Sequence, residues 1–157
     1  MGHQLIGQVL TDMGRLSSID IDEILEEQAI SGMKFGEIAM SLGLCGRDLI
    51  CEAWCTQLAE EIRTDGLTSV GIDLAAAACV PPHLARRWGV LPIRHFAGLI
   101  VVAASRTPSP DETIALSAAL GRDLRFLHVH PDQITEALHE VYGALEEANR
   151  PATPAAA

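Results

Sequence analysis

Leu5–Gln28 reads LIGQVLTDMGRLSSIDIDEILEEQ, and Lys34–Gln57 reads KFGEIAMSLGLCGRDLICEAWCTQ. The second stretch is the first written again at an offset of 34 − 5 = 29 residues. Gly7 falls on Gly36, Gly14 on Gly43, Ile21 on Ile50, Glu23 on Glu52 and the closing Gln28 on Gln57. Apolar positions agree as well: Ile6 with Phe35, Val9 with Ile38, Met13 with Leu42 and Leu25 with Trp54. Two tandem helical units with internal symmetry follow, and a ligand that is itself symmetric would suit the surface they share.

Each copy spells out a short helix, a stop and a longer helix. Leu5, Ile6, Val9, Leu10 and Met13 are apolar at helical spacing, and Gly14 stands where a left-handed stop is expected. Ser17 or Ser18 then caps a helix through Gln28, with Asp20, Asp22 and Glu23 near its favourable start. In the second copy Gly43 is the stop and Gly46 the cap. Gly7 and Gly36 sit inside a first helical turn, where glycine costs roughly 1 kcal/mol relative to alanine. Their recurrence has two readings: close approach of another backbone, or close approach of a ligand to free N–H groups at a helix start.

Beyond the repeats the pattern changes. Gln57–Arg63 ends the last repeat helix and Thr64–Ser69 reads as a linker. A small-residue run, Ala75–Ala78, leads to Pro81-Pro82, which opens a helix through Trp88. Val90–Arg94 and Leu99–Ala104 read as strands around a turn at Ala97-Gly98. Ser109-Pro110-Asp111-Glu112 is a capping box that starts a helix to Leu120, with Gly121 as its stop. Leu124–Val129 is a third strand, and Pro131 opens a last helix expected to end near Gly143. The expected class is α+β: a helical lobe over residues 1–65, a helix-strand-strand-helix-strand-helix lobe over 70–143, and a disordered Pro/Ala tail over 150–157.

The repeat, its five-residue spacer Ala29–Met33, and Pro81–Ile93 (PPHLARRWGVLPI) together resemble the MshEN-type N-terminal domain of type II secretion and type IV pilus assembly ATPases. Leu99–Ala103 and Ile134–Gly143 extend the resemblance to nearly the whole chain. Several members bind cyclic di-GMP, so the resemblance implies that dinucleotide as ligand and a secretion or pilus component as protein partner. It implies a site made of Leu5, Ile6, Gly7, Leu10, Gly14 and Gln28 in the first copy, and Lys34, Phe35, Gly36, Ala39, Gly43 and Gln57 in the second. Guanine faces would rest on Ile6, Leu10, Phe35 and Ala39, phosphates near Gly7 and Gly36, and base edges against Gln28 and Gln57. The family's opening arginine is here Leu5 and then Lys34. Only Lys34 keeps a charge, and neither residue reproduces the planar guanidinium fork, so the second copy is expected to dominate binding.

Composition excludes other classes. A net charge of −10 is ill suited to nonspecific contact with nucleic acid or an anionic membrane, which needs clustered basic residues; Lys34 is the only lysine. No apolar run is long enough for a membrane span and no signal segment opens the chain, so a cytoplasmic location is expected. Cys45, Cys51, Cys55 and Cys79 read as reduced thiols, and His128 and His130 find no third ligand, so neither metal nor cofactor is expected. No Gly-x-x-x-x-Gly-Lys-Ser/Thr loop is present, and the doublets Glu26/Glu27 and Glu60/Glu61 point apart on their helices. The chain is therefore expected to stand alone without the ATPase and to catalyse nothing. Two functions remain open: a receptor for the dinucleotide that signals to a protein partner, or a ligand-free adaptor using the same fold.

Overall fold

The structure is a computed structural model describing residues 5–96 and 98–151. The chain divides between Thr64 and Asp65 into two compact units. The first is all helix among its described residues: α1 (Ile6–Asp12), α2 (Ser18–Ser31), α3 (Phe35–Ser41) and α4 (Arg47–Asp65). The repeat is visible at every joint. Gly14 and Gly43 have φ of 69° and 70°, and Arg15 N–H and Leu44 N–H reach back to the carbonyls of Leu10 and Ala39. Each short helix thus ends in the same left-handed stop with a six-to-one hydrogen bond. Ser17 caps α2 by accepting from Asp20 N–H, while Gly46 stands at the N-cap position of α4.

The core of this unit uses equivalent positions of both copies. Val9 and Ile38, Leu10 and Ala39, Leu16 and Cys45, and Ile24 and Ala53 are all buried. Cys45 therefore occupies the place that leucine takes in the first copy and acts as a small apolar side chain, its thiol pushed up mainly by burial. The copies differ at their ends. Helix α2 continues past Gln28, making helix of the spacer residues Ala29–Ser31, until Gly32 stops it at φ 68°. The residue 29 positions after Gly32 is Glu61, which cannot make that stop cheaply, so α4 runs on to Asp65.

The second unit is the expected small α/β lobe with two additions: a 3-10 turn at Thr68–Val70, overlapping the end of the expected linker, and a short helix α5 (Leu74–Ala77). Helix α6 (Pro82–Trp88) leads into β1 (Val90–Phe96), β2 (Leu99–Ala104), α7 (Pro110–Leu120), β3 (Asp123–His128) and α8 (Pro131–Asn149). The sheet order is β1-β2-β3, antiparallel then parallel. A parallel pair needs a crossover, which α7 supplies. Every residue of the central β2 is buried. Pro92 lies in β1, whose register with β2 slips between Pro92 and Arg94, in keeping with proline's missing donor. Ala97 of the expected turn, and Ala152–Ala157 of the expected tail, lie outside the described residues.

Helix α8 does not end near Gly143. It continues to Asn149, because Gly143 sits in helical conformation and the following Ala144, Leu145, Glu146 and Glu147 are all good helix formers. Tyr142, wholly buried on this helix, donates to the carbonyls of Ala77 (3.2 Å) and Val80 (3.1 Å), and its ring lies 5.9 Å from the Arg86 guanidinium. Asp73 caps α5 and reaches His95 Nδ1 on β1 at 2.9 Å. No helix of the described residues is long and apolar enough to cross a membrane.

Candidate functional site

One face of α2 carries Ile21, Leu25 and Gln28, at helical spacings of four and three residues, and these open onto a cavity of about 580 Å³. Helix α1 adds Leu5, Ile6 and Gly7 from its start, and Gln8, Thr11 and Asp12 along its side. The second copy contributes Phe35, from the start of α3, and Gln57, from α4. Two pairs of repeat-equivalent residues therefore meet in one cavity: Ile6 with Phe35, and Gln28 with Gln57. A volume of this size lies in the range of drug-sized ligand pockets.

The polar groups are partly committed. Gln28 Nε2 donates to the Met33 carbonyl at 3.1 Å, which fixes the side chain and leaves its Oε1 as the acceptor. Thr11 Oγ1 donates to the Gly7 carbonyl at 2.8 Å. At the helix starts, Leu5 N–H is taken by Gln8 Oε1 at 3.1 Å, and Lys34 N–H by Glu37 Oε2 at 3.2 Å. The same back-reaching contact is thus neutral in the first copy and anionic in the second. Among the described residues no lysine or arginine lines the cavity, while Asp12 does.

The glycines have a reason that neither sequence reading named. A Cβ on Gly36 would meet Ile50 Cγ2 at 2.8 Å, and one on Gly7 would meet Phe35 Cζ at 3.1 Å and Ile21 Cδ1 at 3.2 Å. Ile21 and Ile50 are themselves equivalent, so in each copy the glycine makes room for the isoleucine of the following helix. The close approach is by side chains, the isoleucine of the same repeat in both copies and at Gly7 also Phe35 of the second, not by another backbone.

Of the residues expected at the site, Leu5, Ile6, Gly7, Gln28, Phe35 and Gln57 line the cavity. Leu10 and Ala39 are completely buried and offer no face to a ligand, because their positions on α1 and α3 point into the core. Gly14 and Gly43 shape the helix stops, and Lys34 and Gly36 lie outside the lining. The cavity leans on the first copy, the reverse of the emphasis that Lys34 suggested. Gln8, Thr11, Asp12, Ile21 and Leu25 went unnamed as site residues. Ile21 and Leu25 carried a usable signal, being apolar and repeated as Ile50 and Trp54, four residues apart on one helical face.

Comparison with known proteins places the second unit. The MshEN domain family matches residues 65–148, more than half of the 157-residue chain. The chain belongs to the MshEN domain family. The match covers the α/β unit and leaves the tandem repeats, where the cavity lies, outside it. Among solved structures the chain is similar to that of MshE with cdg, at 20% identity and a TM-score of 0.43, over 88% of this chain and 99% of that one. No curated protein matches the chain.

Proposed function

We propose that this MshEN-family chain is a non-catalytic regulatory module that takes cyclic di-GMP in the cavity of its helical unit and passes the bound state to a protein partner of a secretion or pilus machinery in the cytoplasm. The observation that carries this reading is the meeting of the Ile6–Phe35 and Gln28–Gln57 pairs in one cavity. A ligand made of two identical halves presents two base faces and two base edges. Ile6 and Phe35 supply apolar and aromatic surface for the faces, and the two amides supply donors and acceptors for the edges. A non-catalytic role is supported by the lack of a phosphate loop in the sequence, and the hydroxyl in the cavity lining, Thr11 Oγ1, is committed to the Gly7 carbonyl.

Calorimetry of the purified chain with cyclic di-GMP tests the reading. Base–aromatic stacking is worth about 1–3 kcal/mol by alanine substitution, so Phe35→Ala should weaken binding by roughly fivefold or more. Gln57→Ala should weaken it as well, and Lys34→Ala should leave it nearly unchanged. Absence of binding at millimolar ligand, or indifference to both cavity substitutions, would refute the receptor. The adaptor reading would then stand, favoured by one observation: among the described residues no lysine or arginine lines the cavity to meet the two phosphates.

A further inference from the structure

Helix α2 has a second face, directly opposite the one that lines the cavity. Ile19 and Ile30 lie on it, eleven residues or three full turns apart, about 16 Å along the axis. They are 76% and 83% exposed, the two most exposed large apolar side chains among the described residues. Between them on the same stripe stand Glu23 and Glu26, with Asp22 and Glu27 at its two flanks, all four exposed. None of these four carboxylates forms an ion pair among the described residues. The helix Ser18–Ser31 contains no lysine or arginine at all.

That arrangement works against the helix as an isolated element. Asp22 with Glu26, and Glu23 with Glu27, are like charges one turn apart, which destabilise a helix, and no ion pair among the described residues relieves them. Scattered single hydrophobics on a surface need no explanation, but two isoleucines bracketing an uncompensated acidic stripe form a pattern with a complement. The complement is a helix with lysine or arginine in its middle turns and an apolar residue at each end of a three-turn span. A second copy of this chain supplies no such segment, since no stretch of its sequence gathers basic residues in that spacing. An anionic membrane is repelled.

We infer that the outer face of α2, from Ile19 to Ile30, docks a basic amphipathic helix of a protein partner. This names the partner half of the function proposed above. Its test needs no dinucleotide, so either reading can fail without the other. Cavity and docking face then lie on opposite sides of one helix, and a ligand against Ile21, Leu25 and Gln28 touches the element that the partner holds.

The experiment uses the full chain and a fluorescein-labelled three-turn peptide carrying leucine at both ends and arginines on the same face between them, read by fluorescence anisotropy. Glu23→Lys/Glu26→Lys should weaken binding at least tenfold, and Ile19→Ser/Ile30→Ser at least fivefold. Glu146→Lys/Glu147→Lys, an equal charge change on exposed residues of α8, should change it less than twofold. Circular dichroism of each variant checks that α2 still folds, and a peptide with glutamates in place of the arginines should not bind. The inference is overturned if the peptide fails to bind the wild-type chain. It is overturned equally if the α8 variant loses as much as the α2 charge variant, or if the isoleucine variant loses nothing, because attraction would then be diffuse. Sedimentation showing a dimer that Ile19→Ser/Ile30→Ser dissolves would assign the face to self-association instead.

Discussion

Gly36→Ala separates the packing role of the repeated glycines from a ligand role. The new Cβ would lie 2.8 Å from Ile50 Cγ2. Carbon contacts settle near 3.5–4.0 Å, so one partner must yield by roughly 0.7 Å. Ile50 is completely buried, and its Cγ2 is attached directly to a branched Cβ whose rotamer is stiff in a helix. Overpacking of this kind costs about 1–3 kcal/mol, against a helix-propensity gain of up to ~1 kcal/mol for replacing glycine by alanine. The net expectation is a loss of about 0–2 kcal/mol. In an Ile50→Ala background the obstacle is gone, and the same Gly36→Ala change should stabilise by up to ~1 kcal/mol. The sign therefore reverses between backgrounds, with a coupling of about 1–3 kcal/mol. Urea unfolding followed by far-ultraviolet circular dichroism measures all four corners of the cycle. The same sign in both backgrounds would refute the packing account. Because Gly36 lies outside the cavity lining, the folded variant should also keep its affinity for cyclic di-GMP within about twofold at roughly 0.4 kcal/mol; if phosphates approached the backbone there, binding would be lost.

Three further outcomes follow from named contacts. Leu5→Arg adds a guanidinium to a cavity whose described lining holds no lysine or arginine, and should tighten cyclic di-GMP by about tenfold, ~1.4 kcal/mol, in calorimetry. Arg106, together with Ser109 N–H, lowers the Glu112 pKa to about 2, so its contribution to stability is present above its ordinary value of 4.5 and is lost as pH falls through about 2; NMR titration should show that midpoint, and Arg106→Ala should raise it. Tyr142→Phe removes the buried hydroxyl from the Ala77 and Val80 carbonyls and should cost the second unit about 1–3 kcal/mol in urea. Burial pushes the Tyr142 phenol up to about 12, so the wild type, unlike the variant, should lose stability between about pH 10 and 12.

The architecture was legible wherever a residue has one strong backbone preference. Gly14, Gly43 and Gly121 stop helices because a left-handed conformation costs glycine nothing, and Ser109 with Glu112 caps α7 through contacts fixed by spacing alone. Gly143 misled because the same residue in a run of helix formers is tolerated when no tight turn follows. Helix α2 ran past Gln28 for a similar reason: Gly32, not the end of the matched segment, carries the positive φ. Leu10 and Ala39, which the resemblance implied for the guanine faces, are wholly buried; periodicity marks an apolar row without saying which of its members faces the interior.

The asymmetry of the cavity could not be read from charge counting. Lys34 keeps a cation where Leu5 keeps none, and sequence alone therefore favours the second copy. The structure adds the partner at the third position of each short helix. Glu37 reaches back to Lys34 N–H and so brings a carboxylate to the opening that carries Lys34, whereas Gln8 makes the equivalent contact without charge. Lys34 and Glu37 together carry no net charge, so the second opening gains no electrostatic advantage for a phosphate. The first opening has neither cation nor anion, and its neighbours Leu5, Ile6 and Leu25 supply the apolar wall. The lining of the cavity thus includes Gln8, the residue that satisfies the first helix start, but not its counterpart Glu37.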